Sequence, residues 1–269
     1  MARRTLRVAL DQGTGRSGDP ADALARLSDR ARTAADAGAD LLIGPEMSLT
    51  GYNIGESTAR MAEPADGPFA ERVACIAADT GIAIVHGFPE RDGGKIYNTV
   101  LLTGPDGGRL ASYRKTHLFG DLDRGTFTPG DTPVVQADLG GVRLGLLICY
   151  DVEFPEPVRA HALAGTELLV VPTALMLPYT EVPDRIVPVR ALENRIHLAY
   201  VNRCDTEGDL RYAGRSALIA PDGTQTLRAG PSEELLIGNV DAADIARARE
   251  EQSYLDDRRP GLYGSLIRD

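Results

Sequence analysis

A glutamate, a lysine and a cysteine each stand where an apolar or strand-like run of this chain gives out. Cys149 closes the run 142–148 (Val-Arg-Leu-Gly-Leu-Leu-Ile) and is followed by Tyr150-Asp151-Val152-Glu153-Phe154-Pro155-Glu156-Pro157. That order predicts a buried strand delivering a thiol into a turn, with a helix entered through proline just beyond. Such an elbow presents a side chain at the carboxyl end of a strand, beside backbone N–H groups that can bind an oxyanion. Glu46 ends Leu41-Leu42-Ile43-Gly44-Pro45, and Lys115 ends Ser112-Tyr113-Arg114. Taken singly, each has a plain reading: an inert core cysteine, a solvated carboxylate, a surface ammonium. Taken together they form a complete set for acyl transfer. The carboxylate takes the thiol proton, the thiolate attacks, and the ammonium holds the developing oxyanion.

The elements that must position these groups alternate between strand and helix. Leu6 to Leu10 reads as a strand. Asp19 before Pro20 reads as an N-cap with a favoured first helical residue, and Leu24, Leu27, Ala31 and Ala34 recur at helical spacing up to Gly38. Asp40 to Ile43 is the next strand. Phe69, Val73, Ile76 and Ala77 mark a second helix that ends before Gly81, and Ile82 to Val85 make another strand. A hairpin turning at Pro105-Asp106-Gly107-Gly108 follows. The second half then echoes the first. Gly38-Ala39-Asp40-Leu41-Leu42-Ile43-Gly44-Pro45 returns as Gly165-Thr166-Glu167-Leu168-Leu169-Val170-Val171-Pro172, and Gly104-Pro105-Asp106-Gly107 as Ala220-Pro221-Asp222-Gly223. Two echoes in one order suggest a duplicated αβ unit with pseudo-twofold symmetry. Two sheets with helices on their outer sides satisfy that pattern, although periodicity alone fits a doubly wound sheet equally well.

Bulk properties narrow the function. The 269 residues carry a formal charge of −10 with dispersed basic residues, which argues against nucleic acid and anionic membrane as partners. No linker divides the chain, so one domain over 1–269 is expected, with 252–269 as a polar tail. The basic start Met1-Ala2-Arg3-Arg4 runs too soon into Asp11 and Gln12 for a signal-peptide core. Three scattered cysteines, Cys75, Cys149 and Cys204, make neither a disulfide framework nor a zinc site. A reduced, cytoplasmic protein without metal or cofactor is the expectation.

Three segments carry a family resemblance: Gly44-Pro45-Glu46-Met47, Tyr113-Arg114-Lys115-Thr116-His117 and Ile148-Cys149-Tyr150-Asp151-Val152-Glu153-Phe154-Pro155-Glu156. In order and separation they resemble the signature segments of the nitrilase superfamily of carbon–nitrogen hydrolases, over nearly the whole chain. The stretches 49–55, 117–124 and 172–179 are similar to 5-aminopentanamidase-like aliphatic amidases. The resemblance implies a four-layer α-β-β-α sandwich whose subunits pair through outer helices into a homodimer or larger assembly, with a tail that crosses to the partner. It implies Glu46 as general base, Lys115 as oxyanion donor and Cys149 as nucleophile, with the Tyr150 N–H completing the oxyanion hole, and Tyr52 at the substrate. A free thiol titrates near about 8.5, so a nearby Lys115 is expected to favour the thiolate, and burial to raise Glu46.

One position departs from the family. Many members carry a second active-site glutamate before the segment that reads here Phe127-Thr128-Pro129-Gly130, and the matching residue is Asp123, one methylene shorter. A positioning role near the site competes with a loop cap or an ion pair to Arg124. His117 raises a rival Cys–His mechanism, but a histidine two residues past Lys115 reads better as a structural hydrogen-bonding residue. Arg190 and Asn194, one helical turn apart, read with Glu193 as structural. The substrate expected is a small aliphatic amide, with an ω-amino amide implied by the closer resemblance. Glu181, Asp184 and Asp205 are candidates to receive an ammonium, against a reading as solvated loop charge. An N-carbamoyl-amine hydrolase or nitrilase uses the same triad, and a silent binding or assembly module is the non-enzymatic alternative.

Overall fold

The computed structural model describes residues 5–267; the basic start at 1–4 and the last two residues of the tail lie outside them. In chain order the strands are β1 (Thr5–Gln12), β2 (Leu41–Ile43), β3 (Ala83–Asp92), β4 (Lys95–Thr103), β5 (Arg109–Arg114), β6 (Gln136–Leu139), β7 (Val142–Leu146), β8 (Leu168–Thr173), β9 (His197–Asn202), β10 (Thr206–Glu207), β11 (Leu210–Arg211), β12 (Ala217–Ile219), β13 (Gln225–Arg228) and β14 (Glu234–Asp241). The helices are α1 (Pro20–Asp36), α2 (Ser57–Met61), α3 (Pro68–Thr80), α4 (Gly120–Arg124), α5 (Pro155–Leu163), α6 (Val187–Asn194) and α7 (Ala242–Glu251).

Local chemistry sets the helix limits. Asp19 caps α1 by accepting from the Asp22 N–H at 3.1 Å, and Pro20 opens it. Gly81, at φ 70°, closes α3 in the left-handed region that glycine tolerates.

Two six-stranded sheets form, in the orders β14-β1-β2-β3-β4-β5 and β13-β12-β9-β8-β7-β6. Each has three parallel strands at its centre, β1-β2-β3 and β7-β8-β9, and antiparallel strands outside them. Alternation along the strands separates the layers. Val8, Leu10, Leu41, Ile43, Ala83 and Val85 join the second sheet in one core, while Ala9, Leu42 and Ile84 pack with Leu27, Ala31, Ala34, Val73 and Ala77 of α1 and α3. Val158 and Ala162 of α5 and Val187 and Ala191 of α6 belong to the core built around the second sheet. The expected four-layer α-β-β-α sandwich is therefore the fold.

The echoes fall on equivalent places. β2 and β8 are the middle parallel strands of their sheets, and the two Pro-Asp-Gly turns join β4 to β5 and β12 to β13. One exchange breaks the simple repeat: the strand antiparallel to β7 precedes it as β6, whereas the strand antiparallel to β1 is β14, from the far end of the described chain. Beyond α7 the tail keeps Tyr254, Leu262 and Tyr263 exposed, with Arg195 over the Tyr254 ring at 4.8 Å.

Candidate active site

The carboxyl ends of β2, β5, β7 and β8 converge, and the groups that the sequence places there meet. Glu46 leaves β2 through Gly44-Pro45, and its N–H donates to the Thr173 carbonyl at the end of β8 over 3.3 Å. The approach is close because β3 carries Gly87 at this level: a Cβ there would lie 2.6 Å from the Met47 nitrogen. Lys115 follows β5 and is fixed through its backbone, donating to the Asn98 carbonyl at 2.8 Å and accepting from the Gly130 N–H at 2.8 Å.

Both side chains are fully buried, and so is Asp123. The Lys115 ammonium donates to Glu46 Oε1 at 2.8 Å and to Asp123 Oδ2 at 2.7 Å. Asn98 Nδ2 also donates to Glu46 Oε1, at 2.6 Å, leaving Oε2 buried without a hydrogen-bond partner among the described residues. The shorter Asp123 reaches the lysine because α4 folds it inward, where it also accepts from the Phe119 N–H at 2.9 Å and the Tyr52 hydroxyl at 2.7 Å. Of the three readings for Asp123, the structure forms both the contact with the lysine and a cap on the Phe119 N–H, and no ion pair to Arg124 among the described residues.

Cys149 opens a short 3-10 turn, Cys149–Glu153, with φ at 48° and 8% of its surface exposed. The left-handed conformation is costly for a residue with a Cβ, and it turns the thiol out of the strand direction. The first N–H groups of such a turn have no acceptor inside it, so the Tyr150 N–H is available to an oxyanion. The elbow is tied down from two sides. Asp151, fully buried, accepts from the Ile148 N–H at 3.1 Å, the Tyr113 hydroxyl at 2.9 Å, the Thr116 hydroxyl at 2.9 Å and the His117 N–H at 2.8 Å. Arg190 of α6 donates to the Val152 and Glu153 carbonyls at 3.0 and 2.6 Å. His117 lies 2.8 Å from Asp151 through Nδ1 and stacks on Phe154, so it serves the strut.

Electrostatics orders the protons. Burial works to lower the Lys115 pKa, but the surrounding negative groups, Glu46 first, outweigh it and hold the ammonium well above the usual lysine range. Burial raises Glu46; Lys115 opposes this, Asp123 adds to it, and the net shift is upward. Burial and then the Glu46 charge push the Cys149 thiol well above its ordinary value, against the pull of Lys115 and a hydrogen bond from the Ala174 backbone. Lys115 favours the thiolate as expected, but burial and Glu46 outweigh it, and the thiol keeps its proton at rest.

Cys149 borders a cavity of about 230 Å³ lined by Tyr52, Phe119, Tyr150, Glu153, Ala174, Leu175, Met176, Tyr179, Glu181, Val182 and Ile186. Tyr52, Tyr150 and Glu181, named from sequence, are on its wall. Asp184 is not: it pairs with Arg215 at 2.5 Å and with Arg228, and although burial, the largest single effect, raises its carboxyl, the two arginines together hold it below the usual range. Asp205 is likewise engaged by buried Arg203, at 2.6 Å. Sequence reasoning passed over Asn98, Asp151 and Glu153. Asn98 lies inside β4 with no local signal, but Asp151 and Glu153 follow Cys149 so closely that one turn had to bring them near it.

Set beside known proteins, residues 7–250 match the sequence profile of the carbon-nitrogen hydrolases. A Pseudomonas protegens protein described as a hydrolase is 49% identical over 98% of this chain and 92% of its own length. An (R)-stereoselective amidase from a Pseudomonas species is 38% identical over 96% of this chain and 93% of its own. Among solved structures, a double mutant of the amidase from Nesterenkonia sp. AN1 in complex with acrylamide superposes with a TM-score of 0.89 at 37% identity, covering 99% of both chains. A glutamate-to-glutamine mutant of that amidase, showing covalent addition of the acetamide moiety of fluoroacetamide at the active site cysteine, gives 0.88 at 38% identity, covering 97% of both.

Proposed function

The chain belongs to the carbon–nitrogen hydrolase family, and from that premise we propose that Cys149 attacks a short aliphatic amide with Glu46 carrying its proton. It is an amidase-type enzyme that works through an active-site cysteine. One observation carries the assignment to Cys149: its thiol borders the cavity, within electrostatic reach of the buried Glu46–Lys115 pair.

The chemistry follows from the resting charges. As the sulfur bonds to the amide carbon, the thiol proton passes to Glu46, so charge separates only while the oxyanion forms. Lys115 and the Tyr150 N–H stabilise that oxyanion in a buried site, where fixed donors act strongly. Protonated Glu46 gives its proton to the departing nitrogen, ammonia leaves, and a thioester remains. Water then surrenders a proton to Glu46, attacks the thioester and releases the carboxylate, and the thiol takes the proton back. Asp123 holds the lysine in place throughout. The cavity volume suits a short chain, and its largely apolar wall of Leu175, Met176, Val182 and Ile186 suits an aliphatic one. The finer reading, an amide with an amino group at the far end, is supported by Glu181 on that wall.

The test is ammonia release from pentanamide, alongside peptide mapping after treatment with fluoroacetamide. Wild type is expected to turn the amide over, and Glu46→Gln, which cannot carry the proton to the leaving nitrogen, to take up the acetamide group at Cys149 as the carbon–sulfur bond forms and fluoride leaves with the thiol proton. Cys149→Ala is expected to lose at least about 10³-fold in kcat and, combined with Glu46→Gln, all labelling at this position. Undiminished turnover by Cys149→Ala, or labelling at Cys75 or Cys204 instead, would refute the assignment. Carbon dioxide released from a carbamoyl amine, with pentanamide untouched, would move the enzyme to the carbamoyl hydrolases.

A further inference from the structure

The amide cavity has an acidic wall that the reaction steps leave unused. Glu153, half-buried, and Glu181 both line it, and neither carboxylate has a hydrogen-bond or ion-pair partner among the described residues. Nearby acids are engaged: Glu193 by Arg190 at 3.0 Å, Asp184 by Arg215 and Arg228, and Asp205 by Arg203. Resting on the amidase reading above, we propose that Glu153, seconded by Glu181, receives the ammonium group of an ω-amino amide and selects that class over neutral amides.

The placement supports this in three ways. Glu153 ends the same 3-10 turn that Cys149 begins, so one element clamped by Arg190 and Asp151 fixes both the point of attack and the receptor. Phe119 packs edge-on against Tyr150 at 5.3 Å and Tyr179 at 6.2 Å, giving the cavity aromatic walls of the kind that accept a cation. A carboxylate withdrawn from water without a partner is destabilised, and an incoming ammonium relieves that.

The charges around Glu153 make the selection dependent on pH. The groups that act on it are Glu181 at the entry of the helical turn Val182–Ile186, Lys115 beyond β5 and Arg190 on α6, and its charge is felt in turn by Cys149 on its own turn and Tyr200 on β9. Burial first, then the Glu181 charge, push it up to about 7, with Lys115 and Arg190 opposing. Below that pH the carboxyl is neutral and attracts an ammonium weakly; above it the carboxylate attracts it fully. An alkylammonium titrating near about 10.4 stays charged over the whole range.

The experiment measures kcat/KM for 5-aminopentanamide and for pentanamide from about pH 5.5 to 8.5 and follows their ratio. The ratio is expected to reach about tenfold or more on the alkaline side and to fall toward unity on the acid side. Glu153→Gln is expected to flatten the profile, and Asp184→Asn to leave it unchanged. Turnover of pentanamide with a ratio near unity at every pH overturns this inference and leaves the amidase reading standing. A rising ratio that survives Glu153→Gln but vanishes in Glu181→Gln overturns the assignment to Glu153. Turnover of neither amide by wild type overturns the aliphatic-amide reading and this inference with it. Should Glu153→Gln fail to fold, the wild-type profile decides, because a pH-independent ratio is incompatible with a receptor that titrates near neutrality.

Discussion

Charge balance around Lys115 decides the chemistry at the residue scale. One ammonium stands between two buried carboxylates, and a third negative charge on Cys149 would exceed what it can offset. Asp123 therefore does two things: it fixes Lys115, and its charge raises Glu46. Asp123→Asn keeps the shape but removes the charge. Its kcat is expected to fall by about 10²-fold, as for the loss of one preorganised electrostatic group. Glu46, relieved of a like charge, loses its proton more readily, so the acid limb of kcat/KM is expected to move to lower pH. An acid limb that stays in place would show that Asp123 does not act on Glu46. Glu46, Lys115 and Cys149 were legible because runs of apolar or strand-forming residues deliver them. Asp184 misled because its partners Arg215 and Arg228 come from far along the chain, where no spacing in the sequence points to it.

At the scale of elements, the site is a matter of where strands stop and what ties their ends together. Lys115 follows β5 and Cys149 follows β7, and Asp151 joins the two by taking N–H and O–H donors from both segments. Asp151→Asn replaces one acceptor oxygen by a donor among buried donors. Unfolding free energy is expected to fall by about 2–3 kcal/mol, the cost of leaving buried polar groups unsatisfied, with a matching loss of kcat. His117→Ala removes the ring's contacts with Asp151, Thr116 and Phe154 while the other donors to Asp151 remain, and it is expected to keep most of its activity; denaturant melts and ammonia release on both variants check this. Strands and long helices could be read because their apolar spacing is periodic. The short α4, which carries Asp123 to the lysine, could not: five residues hold too little periodicity to show a face.

For the whole molecule, the site lies where two similarly ordered sheets meet. Glu46 and Cys149 follow parallel strands of different sheets, and the Glu46 backbone bonds to the end of β8, the counterpart of β2. The repeat was readable from its two echoes, but the exchange that makes β14 the partner of β1 was not, because pairing at such sequence distance leaves no local trace. The first sheet also carries a cost that appears only in acid. His86, on β3 beside Phe88, is fully buried, and neither ring nitrogen has a hydrogen-bond partner among the described residues. Burial lowers its pKa from 6.5 to about 3. The unfolded chain therefore binds a proton at this position below about pH 6.5 that the folded chain refuses until about pH 3, and stability is lost across that window as pH falls. Replacing the ring by a side chain that cannot titrate removes this one contribution, and every other group cancels when the two proteins are compared. His86→Leu is thus expected to gain about 2 kcal/mol on wild type between pH 6.5 and pH 5, at about 1.36 kcal/mol per proton per pH unit. Urea unfolding of both proteins at the two pH values measures the gain. A difference in stability that does not change with pH would mean that His86 takes up its proton in the folded protein.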